Sequence, residues 1–173
     1  MRPLRPAVIA ALALGMFAPA PARAGWTQIV AFGDSLIDTG NVFAASGQPP
    51  APYFDGRFSN GPVWVEYLAG RLGIAAPTPS LTGGTNYAWA GAETGFGLSA
   101  GGTLNINSQV TNFLAGNTLS ATQLVVIDGG ANDFFNGQTD PSVPVANLAA
   151  AIRALAGAGG RTFIVQNLSL IHI

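Results

Sequence analysis

Ile29-Val30-Ala31-Phe32-Gly33-Asp34-Ser35-Leu36 is the stretch that decides the fold. A short run of β-prone residues feeding Gly-Asp-Ser reads as a buried strand that ends by presenting a hydroxyl. In open α/β sheets the chemistry gathers in the crevice beyond the carboxyl ends of the strands, which makes Ser35 a candidate nucleophile. The competing reading is a plain turn in which Asp34 and Ser35 cap the next helix.

Working outward, three more β-like runs follow: Thr85 to Trp89, Gln123 to Asp128 and Thr162 to Gln166. Between them lie segments of helical spacing. Pro62 follows Ser59-Asn60-Gly61, and Val65, Leu68 and Leu72 then recur on one face up to Gly73, a stop signal. Ile106 to Leu114 repeats the pattern with Ile106, Val110, Phe113 and Leu114. Val143 to Ala156 does so with Leu148, Ile152 and Leu155. Strands alternating with helices predict an α/β domain with a parallel sheet and right-handed crossovers. Gly40 to Asn60, rich in Gly, Pro and Ser, is expected to be a long surface loop.

The first 24 residues stand apart from this pattern. Arg2 and Arg5, an apolar stretch from Ala7 to Ala18, and Ala22-Arg23-Ala24 have the layout of a cleaved signal peptide. The expected domain is therefore residues 25–173, in a protein that is secreted, periplasmic or held in the cell envelope. No later run reaches the length of a membrane span. From residue 25 onward, four arginines face eight acidic residues, and lysine is absent throughout, so a nucleic-acid partner is not expected. Cysteine is also absent, and there is one histidine, His172. Disulfides and thiolate metal sites are excluded, and a zinc site is not expected.

The ends of the first three runs share one edge of a parallel sheet. They carry Gly33-Asp34-Ser35, then Ala90-Gly91-Ala92, then Gly129-Gly130-Ala131-Asn132-Asp133. A serine-type ester hydrolase needs a hydroxyl nucleophile and donors aimed at the developing oxyanion. Ser35 can supply the hydroxyl and its own N–H. Gly91 can bring a backbone N–H close to a substrate, and Asn132 a side-chain amide. Each has a plainer reading when taken singly: Gly91 as a tight turn, Asn132 as a helix cap.

These residues resemble the GDSL (SGNH) hydrolases. Phe32-Gly33-Asp34-Ser35-Leu36 with Asp38-Thr39-Gly40-Asn41 is similar to that family's nucleophile block. Gly91 within Asn86-Tyr87-Ala88-Trp89-Ala90-Gly91-Ala92 matches its glycine block, and Gly130-Ala131-Asn132-Asp133 its Gly-x-Asn-Asp block. Gly56 to Leu68 is similar to a segment that exported GDSL lipases and esterases carry between the first two blocks. The resemblance runs from about Ile29 to Leu168. It implies a flavodoxin-like three-layer sandwich, the SGNH hydrolase fold, and hydrolysis of a small-molecule or lipid carboxylic ester through an acyl-enzyme. Ser35 would be the nucleophile, with Gly91 and Asn132 in the oxyanion hole; no metal or organic cofactor is implied. Acyl transfer to an alcohol, or a non-catalytic ligand- or surface-binding module on the same fold, are the alternatives. Oligomeric state is left open.

The family's general base lies in an Asp-x-x-His block near the C-terminus, beyond the fourth strand. Ser169-Leu170-Ile171-His172 has Ser where that block has Asp, comes too early in the fold order, and sits beside a terminus. It is not expected to act as the base. The expectation is an N-terminal portion of the fold with its C-terminal part missing, Ser35 being nearly idle without that base. Phe43, Tyr53, Phe54, Phe134 and Phe135 could line an acyl pocket or serve as ordinary packing.

Overall fold

The computed structural model describes residues 25–166. The expected signal peptide over 1–24 and the Ser169-x-x-His172 segment lie outside the described residues. In chain order the elements are β1 (Gln28–Gly33), α1 (Asn41–Ser46), α2 (Trp64–Leu72), α3 (Ile106–Leu114), β2 (Gln123–Asp128), α4 (Ala131–Phe135), α5 (Ser142–Gly157) and β3 (Thr162–Val165). The strands form a parallel sheet in the order β1-β2-β3. Gln28 pairs with Gln123 and Gly33 with Asp128, while Leu124 pairs with Thr162 and Ile127 with Val165.

Strand residues alternate between faces, and here both faces are buried. Val30, Phe32, Val125 and Ile127 pack with Ile106, Val110 and Phe113 of α3 and Ala151 and Leu155 of α5. Ile29, Ala31, Leu124 and Val126 pack on the other side with Val65 and Ala69 of α2, together with Ile37, Val63 and Ala88. The result is helix, sheet and helix in three layers, as the alternation of runs predicts. Phe32 anchors the first face, with its ring 5.5 Å from both Tyr87 and Phe113. Burying a side chain of this size contributes roughly 2–3 kcal/mol.

Several expectations need correction. Thr85–Trp89 runs alongside β1, where Tyr87 N–H donates to Ala31 C=O and Trp89 N–H to Gly33 C=O. It nevertheless pairs only as a single bridge, Ala31 with Asn86, rather than as a strand. Gly33 N–H, which would extend the pairing, goes instead to Gln109 Oε1, while Asn86 fixes the far side of the run by donating to Ile37 C=O and accepting from Ala88 N–H. Gly40 to Asn60 is not all loop, because α1 occupies Asn41–Ser46. Asp38 makes this possible by accepting the N–H groups of Gly40, Asn41 and Val42, which a helix start leaves without partners. The apolar face of α2 is also rotated, so that Ala69 is buried and Leu72 is exposed. Finally, α4 was not anticipated, and Asn132 lies inside it rather than at its cap, which is Gly130.

Candidate active site

At the carboxyl end of β1 the chain makes a sharp turn through Asp34, Ser35 and Leu36. Gly33 permits it: a Cβ there would collide with Asp128 C=O and Ile37. Leu36 N–H donates to Asp34 Oδ1 at 3.0 Å, and Ile37 and Asp38 N–H donate back to Asp34 C=O. Ser35 is half-buried at the top of this turn. Among the described residues its hydroxyl has no hydrogen-bond partner. Asp34 and Ser35 do not cap the next helix, since Asp38 takes that part.

Gly91 lies in a turn with φ 80°, a conformation that side-chain-bearing residues rarely adopt. The tight-turn reading is thus correct, and it leaves the N–H outward. Among the described residues neither the Gly91 nor the Ser35 N–H donates to an acceptor. Asn132 ties the three places together. Its amide donates to Ala92 C=O at 2.9 Å and to Asp34 Oδ2 at 3.3 Å, and so touches the residue after Gly91 and the residue before Ser35. The three strand-end clusters therefore converge, as the parallel topology predicts.

The electrostatics of this edge are acidic. Asp34 is almost wholly buried, and that burial pushes its carboxyl up to about 7. The nearby Asp128 and Asp133 add to the rise, and the Leu36 N–H opposes it. Asp128, at the end of β2, is raised to about 6 by burial, with the Trp64 indole N–H at 3.2 Å pulling the other way. Asp133 is held by Thr94, whose N–H and hydroxyl donate to its two oxygens at 3.0 and 2.6 Å. Among the described residues no group of three or more His, Cys, Asp or Glu is placed to hold a metal ion.

Four further polar residues, Gln109, Asp38, Asn41 and Asn86, frame the site. Gln109 of α3 is fully buried and accepts Gly33 N–H at 2.8 Å while donating to Gly33 C=O at 2.9 Å and to Leu104 C=O. Its signal was present: it falls between Ile106 and Phe113 at core-facing helical spacing. Asp38 accepts a further N–H from Ala90, joining the serine turn to the glycine turn. Asn41 donates to Asn86 C=O and Ala88 C=O, and Asn86 reaches back to Ile37 C=O. These were visible as letters of a motif, but which backbone groups they would satisfy was not.

Of the aromatic candidates, Tyr53 leans on Phe58, and Arg57 lies over Phe54 at 5.9 Å, both as loop packing. Phe43 sits against the Gly56 turn. Phe135 is exposed. Phe134 lines an apolar groove of about 530 Å³ with Gly130, Pro144, Leu148, Ile152 and Val165 in its wall.

The family model for GDSL-like Lipase/Acylhydrolase matches residues 29–173, nearly all of the chain from β1 onward. The chain belongs to this family. Thermolabile hemolysin of Vibrio parahaemolyticus is 33% identical over 144 residues, covering 82% of this chain and 33% of the hemolysin. Phosphatidylcholine-sterol acyltransferase of Aeromonas hydrophila is 35% identical over 119 residues, covering 66% of this chain and 35% of the acyltransferase. A GDSL esterase/lipase of Arabidopsis thaliana is 26% identical over 188 residues, covering 80% of this chain and 48% of the relative. The chain thus spans a third to a half of the length of these relatives. The family is one of ester-acting enzymes, and the α/β architecture with its parallel sheet fits it.

Proposed function

We propose that this GDSL-like chain carries the nucleophile and the oxyanion donors of a serine ester hydrolase. Ser35 Oγ attacks the carbonyl carbon of a carboxylic ester, the carbonyl electron pair moves onto oxygen, and the alcohol leaves as the tetrahedral intermediate collapses to an acyl-enzyme. The oxyanion is received by the Ser35 and Gly91 N–H groups, and by the Asn132 N–H whose long bond to Asp34 Oδ2, at 3.3 Å, is exchanged for the substrate oxygen. The convergence carries this reading: one amide, Asn132, bonds on both sides to the neighbours of the other two residues, whose N–H groups are unspent. Water then resolves the acyl-enzyme. The base that takes the Ser35 proton is not among the described residues, and His172 is placed too early in the fold order for that role. The layout of residues 1–24, an apolar run ending in Ala22-Arg23-Ala24, supports export of the enzyme from the cytoplasm as part of the same proposal.

Prolonged incubation with a fluorophosphonate tests the assignment. Modification at Ser35, lost in Ser35→Ala, is the expected result; modification elsewhere, or none, overturns it and favours a binding module. The acyltransferase relative gives a second reading some support, since the same acyl-enzyme can be resolved by an alcohol. Added alcohol that is acylated in preference to water would favour it.

A further inference from the structure

Beside Asn132 the molecule holds a second cavity, of about 380 Å³, whose walls differ in kind from the groove at Phe134. Glu93, Asn105, Asp133, Asn136, Gln138 and Asn147 line it, with the ring of Phe96 in its wall. Its location follows from the site: Glu93 is two residues beyond Gly91, and Asp133 is one beyond Asn132.

Part of the wall is spent on itself. Asp133 gives both oxygens to Thr94, and Asn105 accepts Glu93 N–H while donating to Phe96 C=O. What is left over faces a ligand. Glu93 uses one oxygen on the Asn136 amide at 2.6 Å and keeps the other. Asn147 donates to Thr94 Oγ1 and keeps its carbonyl oxygen. Asn136 keeps its carbonyl oxygen, and Gln138 keeps its amide nitrogen after accepting Asp140 N–H. One N–H each of Asn136 and Asn147 is also left, so unspent donors and acceptors stand side by side, with the Glu93 carboxylate the one group among them able to carry charge and no arginine in the lining. Such a lining is suited to hydroxyl groups, each of which both donates and accepts. Phe96 is 72% exposed and offers an apolar face to the C–H side of such a ligand.

We propose that this cavity holds the alcohol portion of the ester, and that this portion is rich in hydroxyl groups, as in a glycerol or sugar ester. The inference rests on the Ser35 reading for its orientation: the carbonyl sits at Gly91 and Asn132, and the alcohol arm points toward Glu93 and Asn136.

The test is binding to the 173-residue chain carrying Ser35→Ala, followed by NMR titration with two soluble butyrate esters. Glycerol monobutyrate is expected to bind about 10-fold more tightly than ethyl butyrate. Glu93→Leu, and separately Asn136→Leu at an exposed position, are expected to bring the ratio close to 1 while the spectrum stays that of a folded chain. Equal affinity for the two esters overturns the proposal, as does a preference that both variants retain. Because Ser35 is absent from this measurement, its outcome is independent of fluorophosphonate modification. Failure of the modification would remove the hydrolase reading and leave the hydroxyl preference to stand or fall alone.

Discussion

Asp34 and Asp38 lie four residues apart on one turn, and both are almost wholly buried, yet their partners differ in kind. Asp38 accepts four backbone N–H groups, from Gly40, Asn41, Val42 and Ala90. Asp34 accepts one backbone N–H, from Leu36, and one side-chain amide, from Asn132. The first carboxylate fixes backbone to backbone. The second fixes a side chain that would do chemistry, and with fewer donors around it, burial drives its carboxyl to about 7. Burial also raises Asp38, against the pull of its four N–H groups. The lesson is that donors to a buried carboxylate determine whether it serves the frame or the site.

The sharpest way to break this contrast is Asp38→Ala, which strands four N–H groups at once. A loss of about 3–5 kcal/mol is expected in urea denaturation, enough to unfold a marginal domain. A loss under about 1 kcal/mol would mean that Asp38 does not hold the frame. Asp34→Asn should behave in the opposite sense. Its oxygen can still accept Leu36 N–H, but its amide then meets the Asn132 amide, donor against donor. The rate of Ser35 modification should fall about 10- to 100-fold while stability at pH 8 is kept or improved, because a buried charge has gone.

Stability against pH is the next test. The native carboxyls of Asp34 and Asp128 lie at about 7 and about 6, above their ordinary value of 3.8. Both therefore favour the fold when protonated, and that contribution is lost progressively as pH rises from about 4, completely by about 6 for Asp128 and about 7 for Asp34. Lowering the pH from 8 to 5 should stabilise the chain by roughly 2 kcal/mol from Asp34 alone. The same protonation weakens the acceptor that orients Asn132, so Ser35 modification should slow as pH falls through about 7. Stability and reactivity that move together would contradict this. The smallest effect should come from Asp128→Asn. It keeps an oxygen for the Trp64 indole and should flatten part of the stability profile without changing the modification rate.

The layered architecture was legible because both periods were clean. Val30, Phe32, Val125 and Ile127 alternate as a two-sided strand requires, and Ile106, Val110 and Phe113 repeat as a helix requires. The convergence of Ser35, Gly91 and Asn132 followed from parallel strand order alone. What escaped were structures set by a single side chain. Helix α1 is too short for periodicity and is held at its start by Asp38. The Thr85–Trp89 run has the composition of a strand, but Gly33 N–H, the next donor on β1, goes to the Gln109 side chain of α3. Such choices depend on which backbone group lies within 3 Å, and no local pattern encodes that.

Gln109 has one more consequence. A sheet that stops short leaves backbone groups facing nothing, and the crevice above a parallel sheet exists only where strands do stop. By accepting from Gly33 N–H and donating to Gly33 C=O, the Gln109 amide acts as a one-residue strand and closes the ladder at that point. The turn that bears Ser35 is thereby hinged to α3 rather than to a further strand. The Gly97–Gly102 stretch, where Leu98 is exposed and no residue bonds to Asn132 or Asp133, can then vary without disturbing the floor of the crevice. In this molecule one buried amide uncouples the shape of the substrate's surroundings from the position of the serine.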